Sequence, residues 1–325
     1  MKRVLISTLG ESPGVVTEAI DYLKSRGITP DKVIILTTED TDAQDSVYLL
    51  SDHIPKHYGM KENLISDFVK GAYEDIDSME AVVRFLELSC SWLRAYRGDE
   101  VYVSIAGGRK TMAALMTLAV QIYGAKELFH IILQDEDLES SSRIRNLKHL
   151  DPARQAIILH PEPSKLRYVR MPFIGLFSLI GDIVTALKGR DASPEVKKLL
   201  TESDLLKNGS PTEIGKTVLR LLESVENTPG PCPERATIDL RNHHHLMERE
   251  RMAQKLVSRF NFICKVTDSR WKEGQPKVKE VSPNKLEVYF RSREGFDLAL
   301  LLTTTAKSEG ELGRAGQLIR EFLEA

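Results

Sequence analysis

Two segments of the sequence combine glycine, hydroxyl and cationic residues in the way a phosphate group requires. The first is Ser7-Thr8-Leu9-Gly10-Glu11-Ser12-Pro13-Gly14, and the second is Ser104-Ile105-Ala106-Gly107-Gly108-Arg109-Lys110-Thr111. Glycine lets backbone N–H groups approach a ligand, hydroxyls donate, and a helix N-terminus presents unpaired N–H groups to an anion. Arg109 and Lys110 fall at the start of a helical pattern, where cations oppose the helix dipole unless an anion joins them. The first run lacks G-x-G-x-x-G, and Gly107–Thr111 lacks the earlier glycine of a Walker loop. Taken singly, each run is also consistent with a tight strand–helix turn. Together they read as a site for a phosphodiester.

A second set of chemically capable residues lies near the other end: Arg270, Lys272, Lys277, Lys279, Tyr289, Arg291 and Arg293. In a strand, Tyr289, Arg291 and Arg293 share one face by period two, and Val288 and Phe290 take the other. That alternation places one polar, cationic face toward RNA and one apolar face toward the core. The alternative is a solvated basic face. His243, His244 and His245 are adjacent, so on a helix they point about 100° apart and cannot share one metal. They read as capping or interface residues, and Arg249-Glu250-Arg251 as a helix surface first and an RNA contact second.

The elements that must position these residues follow from periodicity. Val4–Ser7, Val33–Thr37, Val101–Ile105, Leu128–Leu133 and Ala156–His160 read as buried strands. Val15–Ser25, Ala43–His57, Ser78–Tyr96 and Lys110–Tyr123 read as helices between them. This alternation implies a mostly parallel, doubly wound sheet, with ligands at the carboxyl ends of its strands. Residues 172–226 read as three short helices, either a winged-helix-like module or a helical connector. Ser193-Pro194 opens the second helix and Ser210-Pro211-Thr212-Glu213 the third. A Pro-rich linker, Asn227–Glu234, precedes a compact α+β pattern over 236–325. Its expected parts are a strand at Thr237–Leu240, a helix at Asn242–Phe260 and a strand at Phe262–Thr267. A basic loop, strands at Leu286–Ser292 and Phe296–Thr304, and a helix at Ser308–Leu323 follow.

The 325 residues suffice for two or three domains, and the formal net charge of −2 excludes a uniformly basic nucleic-acid coat. The average hides an asymmetry. Residues 1–150 hold 17 Lys+Arg against 23 Asp+Glu, whereas 249–293 hold 12 against 5. Cys90, Cys232 and Cys264 are too few and too scattered for a disulfide framework or a zinc site, which fits a reduced cytosol. No signal peptide or membrane span is read, so the expectation is a cytoplasmic protein without membrane contact.

VLISTLGESPGVVTEAI, followed about a hundred residues later by VYVSIAGGRKTMAALM, resembles the CARF domain of CRISPR-associated proteins over residues 1–165. The resemblance implies a Rossmann-like homodimer that binds cyclic oligoadenylate, most often cyclic tetra-adenylate, as an activating ligand. Thr8, Leu9, Gly10, Glu11 and Ser12 would line the ring, and Gly107, Gly108, Arg109, Lys110 and Thr111 would hold its phosphates. Some CARF domains also cut their ligand, for which Ser12, Thr8 and Lys110 would serve. The usual HEPN ribonuclease output is disfavoured, because Arg235 and Arg241 stand at the wrong distances from His243 and His245. Residues 236–325 instead resemble, by element order and charge, a RelE-type messenger ribonuclease acting on mRNA in the ribosome. That resemblance implies metal-independent chemistry and no cofactor. The rivals are a transcription regulator using 172–226 on DNA, and a stand-alone ring nuclease.

Overall fold

The structure, a computed structural model, describes residues 1–60, 63–69 and 75–324. The chain divides into two compact units, Met1–Thr212 and Glu213–Ala325. The first unit begins with alternating strands and helices: β1 (Arg3–Thr8), α1 (Gly14–Ser25), β2 (Lys32–Thr38), α2 (Thr41–Tyr58), β3 (Leu64–Val69), α3 (Met79–Ala95), β4 (Glu100–Ser104), α4 (Lys110–Tyr123) and β5 (Glu127–Leu133). Three short helices follow, α5 (Glu136–Ser142), α6 (Ile144–Leu147) and α7 (Pro152–Leu159), before β6 (Leu166–Met171). The sheet order is β3-β2-β1-β4-β5-β6. β1 to β5 run parallel, and β6 closes one edge antiparallel to β5.

The strands are apolar on both faces, as a parallel sheet between helix layers demands. Leu5, Val33, Ile35, Phe129 and Ile131 pack with Val16, Ile20 and Leu23 of α1 and with Leu50 and Ile54 of α2. Their strand neighbours Val4, Ile6, Ile34 and Val103 point the other way and are fully buried too. Order reverses between β1 and β4, because the chain winds outward to β3 and returns. This switch point is where a doubly wound sheet leaves a crevice at its carboxyl edge.

One expected strand is a helix. Ala156–His160 falls in α7, whose start is fixed by Asp151: its carboxylate accepts from Ala153 N at 3.1 Å and Arg154 N at 3.0 Å. Pro152 fits the first turn, where no N–H is required. An apolar run beginning four residues after an Asp-Pro pair belongs to that helix, and the cap outweighs the β-branched content. The sixth strand is instead Leu166–Met171.

The remainder of the first unit is α8 (Ile180–Leu187), α9 (Pro194–Glu202) and a hairpin of β7 (Leu206–Lys207) with β8 (Ser210–Pro211). The second unit opens with α10 (Glu213–Asn227), followed by β9 (Thr237–Asp239), α11 (Leu246–Arg259), β10 (Ile263–Ser269), β11 (Val278–Ser282), β12 (Lys285–Arg291), β13 (Asp297–Thr304) and α12 (Glu309–Glu324). Its sheet order is β11-β12-β13-β10-β9. Ala253 and Leu256 of α11, with Leu312, Ala315 and Ile319 of α12, share one core with Val266, Leu286, Val288, Leu300 and Leu302. Both helices therefore cover the same face of this sheet.

Cys232 and Cys264, read from the sequence as too scattered for a disulfide framework, are joined by a disulfide with Cα atoms 5.4 Å apart, and Cys90 is buried outside it. Their separation of 32 positions conceals the pairing. It depends on the linker returning to the start of β10, where Cys232 N donates to Asn261 O at 2.7 Å. Among the described residues no helix is long and apolar enough to cross a membrane.

Candidate functional site

The two glycine loops leave adjacent strands at the switch point and lock together. Thr8 is fully buried, and its hydroxyl donates to Gly107 O at 2.6 Å. Thr37 on β2 donates to Leu9 O at 2.8 Å, so the first loop is fixed on both sides. Gly107 has no room for a side chain: a Cβ there would lie 2.5 Å from Thr8 O and 2.6 Å from Val15 Cγ2. A Cβ on Gly10 would stand 3.0 Å from Gly108 Cα. Gly108 itself has φ +85°, a conformation that favours glycine. These glycines serve loop-on-loop contact as well as any approach of a ligand.

The interlocked loops form one wall of a cavity of about 340 Å³. Gly10, Glu11 and Ser12 come from the first loop, and Gly107, Gly108 and Arg109 from the second. Asp40 and Asp42 join from the start of α2, His130 to Leu133 from β5, and Glu139 and Ser142 from α5. The structure thus brings six of the ten expected ligand residues to one cavity. Leu9 is fully buried in the apolar core, so its side chain cannot line a ring as the resemblance implied. Thr8 acts from beneath, through its hydrogen bond. Lys110 and Thr111 open α4 beside the cavity without lining it, and Lys110 is exposed. Helix α4 starts with no acidic residue in its first turn, so its dipole and free N–H groups have no carboxylate from that turn to oppose.

Sequence reasoning named Glu11 but missed the other carboxyl groups. Glu11, Glu18, Asp40, Asp42 and Glu139 all line the cavity, and among the described lining residues the one guanidinium is that of Arg109. Three of them are already engaged. Asp40 caps α2, accepting from Asp42 N and Ala43 N. Asp42 pairs with Arg145 at 2.6 Å, and Glu11 with Arg143 at 3.5 Å. Glu18 is 4% exposed, and burial, reinforced by Asp21, pushes its carboxyl up to about 7. The helical spacing of α1 carried the signal: Glu18 falls among Val16, Ala19 and Ile20 on the buried stripe.

In the second unit the face of the sheet opposite α11 and α12 carries Lys279 and Tyr289 of the seven expected residues. Tyr289 stands beside Ala299, and Ala299 beside Ser269; one register step along, Lys279, Glu287, Leu301 and Thr267 form the next row. Tyr289 donates to Glu287 Oε2 at 2.7 Å, and Ser269 to Oε1 at 2.7 Å. Burial, then Glu287, holds the Tyr289 phenol up at about 12. Burial pulls the Glu287 carboxyl up, but the Ser269 and Tyr289 hydrogen bonds and the charges of Lys272 and Lys279 outweigh it, leaving Glu287 below its ordinary value. Glu287 and Ser269 were not singled out in the sequence, because their partnership is cross-strand.

The other expected residues are placed differently. Lys277 pairs with Glu324 at 3.7 Å, Arg291 with Asp297 at 3.8 Å, and Arg270 and Arg293 are exposed. Arg249, read as surface, is buried and bonded to Asp268 at 3.0 Å. The three histidines precede α11 instead of lying on it, since His245 takes φ 52° and stacks on Phe296 with ring centres 3.7 Å apart.

Residues 12–205, more than half of the chain, match the family model of CRISPR-associated protein NE0113. The chain belongs to this family. A relative, the CRISPR system ring nuclease SSO2081 of Saccharolobus solfataricus, is 29% identical over 154 residues, covering 45% of this chain and 80% of its own. Among solved structures, Enterococcus italicus Csm6 bound to cyclic hexa-2'-fluoro-hexa-dAMP aligns with TM-score 0.34 and 14% identity, over 70% of this chain and 55% of that one. A type III CRISPR defence DNA nuclease activated by cyclic oligoadenylate aligns with TM-score 0.31 and 15% identity, over 62% and 30%. The chain therefore spans about half of the first solved structure and less of the second. These are distant likenesses, and the assignment to the NE0113 family does not lean on them. The CRISPR-associated CARF reading of the first unit is met at the level of the family. The family match ends before β9, so the RelE likeness rests on element order and charge.

Proposed function

We propose that the cavity at the β1/β4 switch point binds a cyclic oligoadenylate, cyclic tetra-adenylate first, and that this gates a ribonuclease in the second unit. The observation that carries the first half is the interlock of the two glycine loops beside the N-terminus of α4, whose first turn carries no carboxylate. Phosphates would sit at Gly107, Gly108 and the start of α4, with Arg109 and Lys110 supplying charge. The carboxylates answer the rest of such a ligand, since adenine amino groups and ribose hydroxyls are donors. A two-fold ring fits a site shared by two copies of the chain. Calorimetry of cyclic tetra-adenylate with wild type and Lys110→Ala tests this. One ring per two chains, weakened in the variant, supports it; no binding of any oligoadenylate ring removes it.

The output chemistry proposed for the second unit is metal-independent cleavage of RNA, with mRNA on the ribosome as the target. Ionised Glu287 would take the proton from a ribose 2′-hydroxyl. The 2′-oxygen attacks phosphorus, and the departing 5′-oxygen takes its proton from Tyr289. The products are a 2′,3′-cyclic phosphate and a free 5′-hydroxyl. Lys272, Lys279 and Arg291 would bear on the phosphate.

A second reading, ring cleavage at the cavity itself, is favoured by Glu18. A carboxyl buried beside the cavity and poised near 7 is suited to proton transfer at neutral pH, and the ring nuclease relative points the same way. Incubating the protein with cyclic tetra-adenylate and following linear products by chromatography separates binding from turnover.

A further inference from the structure

His53 and His57 stand one turn apart on α2, and His160 caps the end of α7. One ligating atom of each lies within 4.8 Å of the others. His53 Nε2 and His160 Nε2 face each other at 2.8 Å, and the rings of His57 and His160 stack with centres 4.0 Å apart. The other nitrogen of His160 is held by Asp21 on α1, Nδ1 to Oδ2 at 2.7 Å, and Tyr58 donates to the second oxygen of Asp21 at 2.7 Å. A carboxylate can only accept, so the neutral His160 ring carries its hydrogen on Nδ1 and presents a lone pair at Nε2.

This is the arrangement of a metal-binding imidazole: one nitrogen fixed by a carboxylate, the other turned toward a common point with further imidazoles. Tetrahedral zinc, at about 2.0–2.1 Å from each nitrogen, sets its ligands roughly 3.3 Å apart, within the range the three rings already span. Without an ion, His53 must use its Nε2 hydrogen to satisfy His160. With one, His53 moves that hydrogen to Nδ1, and no proton has to leave. His57 is exposed and His53 and His160 half-buried, so an entry path exists.

We propose that His53, His57 and His160 form a site for a divalent first-row transition ion of the zinc class, with Asp21 orienting His160 and the fourth position open to solvent. The sequence reading anticipated no metal, because the ligands come from two helices about a hundred residues apart. The bound ion would tie α2 and α7 to α1 through Asp21, one turn from Glu18 on the cavity.

The test uses full-length protein stripped with chelator, titrated calorimetrically with zinc chloride and, separately, with cobalt chloride read by visible absorption. The expected result is one zinc per chain and cobalt bands of a four-coordinate site. Both should be lost in His57→Ala, whose exposed position tolerates substitution, and in His53→Ala. Asp21→Asn should weaken binding by about 10–100-fold. Circular dichroism verifies that each variant is folded. Replacing His243, His244 and His245 together by alanine should leave binding intact. Failure of the wild type to bind zinc, persistence of binding in His57→Ala and His53→Ala, or its loss in the His243–His245 replacement would each overturn the proposal.

Discussion

The Thr8 hydroxyl donates a 2.6 Å hydrogen bond to the carbonyl of Gly107, ninety-nine residues further along the chain. Both groups are buried, so neither has water as a substitute. Thr8→Val keeps the shape and removes the donor. It should cost about 1–3 kcal/mol, the usual penalty for orphaning a buried acceptor. It should also weaken oligoadenylate binding, although Thr8 itself stays out of the cavity. Thermal unfolding and calorimetry on the same variant check both halves.

Gly107→Ala should be worse than its one added methyl implies. The neighbour at 2.5 Å is the Thr8 backbone carbonyl, which cannot rotate away, whereas Val15 at 2.6 Å has some freedom. Overpacking of this kind costs about 1–3 kcal/mol. Relief requires the two loops to separate, so ligand binding should fall together with the melting temperature. A variant that binds normally would show that the loops yield without disturbing the site.

The parts of this molecule visible in the sequence were those set by local periodicity. Val4–Ser7 and Val33–Thr37 were readable as short continuous β-branched runs, and the four long helices of the first half because each repeats at 3.6 residues. The pairing of the two glycine loops was readable because both follow strands of one sheet. What escaped depended on long-range encounters. Leu64–Val69 has mixed polarity as an edge strand, and Ala156–His160 was claimed by the cap at Asp151. Cys232 meets Cys264, and Glu287 meets Ser269 and Tyr289, only through tertiary approach. The carboxyl-rich character of the cavity was hidden because Glu18, the pair Asp40 and Asp42, and Glu139 come from three different elements, α1, α2 and α5.

Glu18 makes stability depend on pH in a predictable direction. Its carboxyl titrates near 7 in the folded chain and near 4.3 when unfolded. Between those values the folded state holds a proton that the unfolded state has released, so its contribution to stability declines as pH rises. The decline amounts to up to about 3 kcal/mol across that window. Glu18→Gln removes the effect. Its melting temperature relative to wild type should therefore climb between pH 5 and pH 8. A constant difference over that range would mean that Glu18 is ionised throughout. If the cavity also cleaves its ligand, the same substitution should abolish cleavage and spare binding.

On the face of the second sheet opposite α11 and α12, the pairing of Tyr289 with Glu287 divides the roles. Tyr289, held up at about 12, stays protonated at neutral pH and can only give a hydrogen. Glu287, held below its ordinary value, stays ionised and can only accept one. If this face cleaves RNA, Glu287→Gln and Tyr289→Phe should each lower the rate by about 10²–10⁴-fold, the range for losing a positioned acid or base. Neither should alter binding of cyclic tetra-adenylate, because both residues lie outside the first unit. Lys279→Ala should raise the RNA concentration needed more than it lowers the maximal rate, since it bears on phosphate and carries no proton. The measurement is ligand-saturated cleavage of a short RNA and of ribosome-bound mRNA, followed over time for each variant. Equal cleavage by wild type and Glu287→Gln would remove this face from the chemistry.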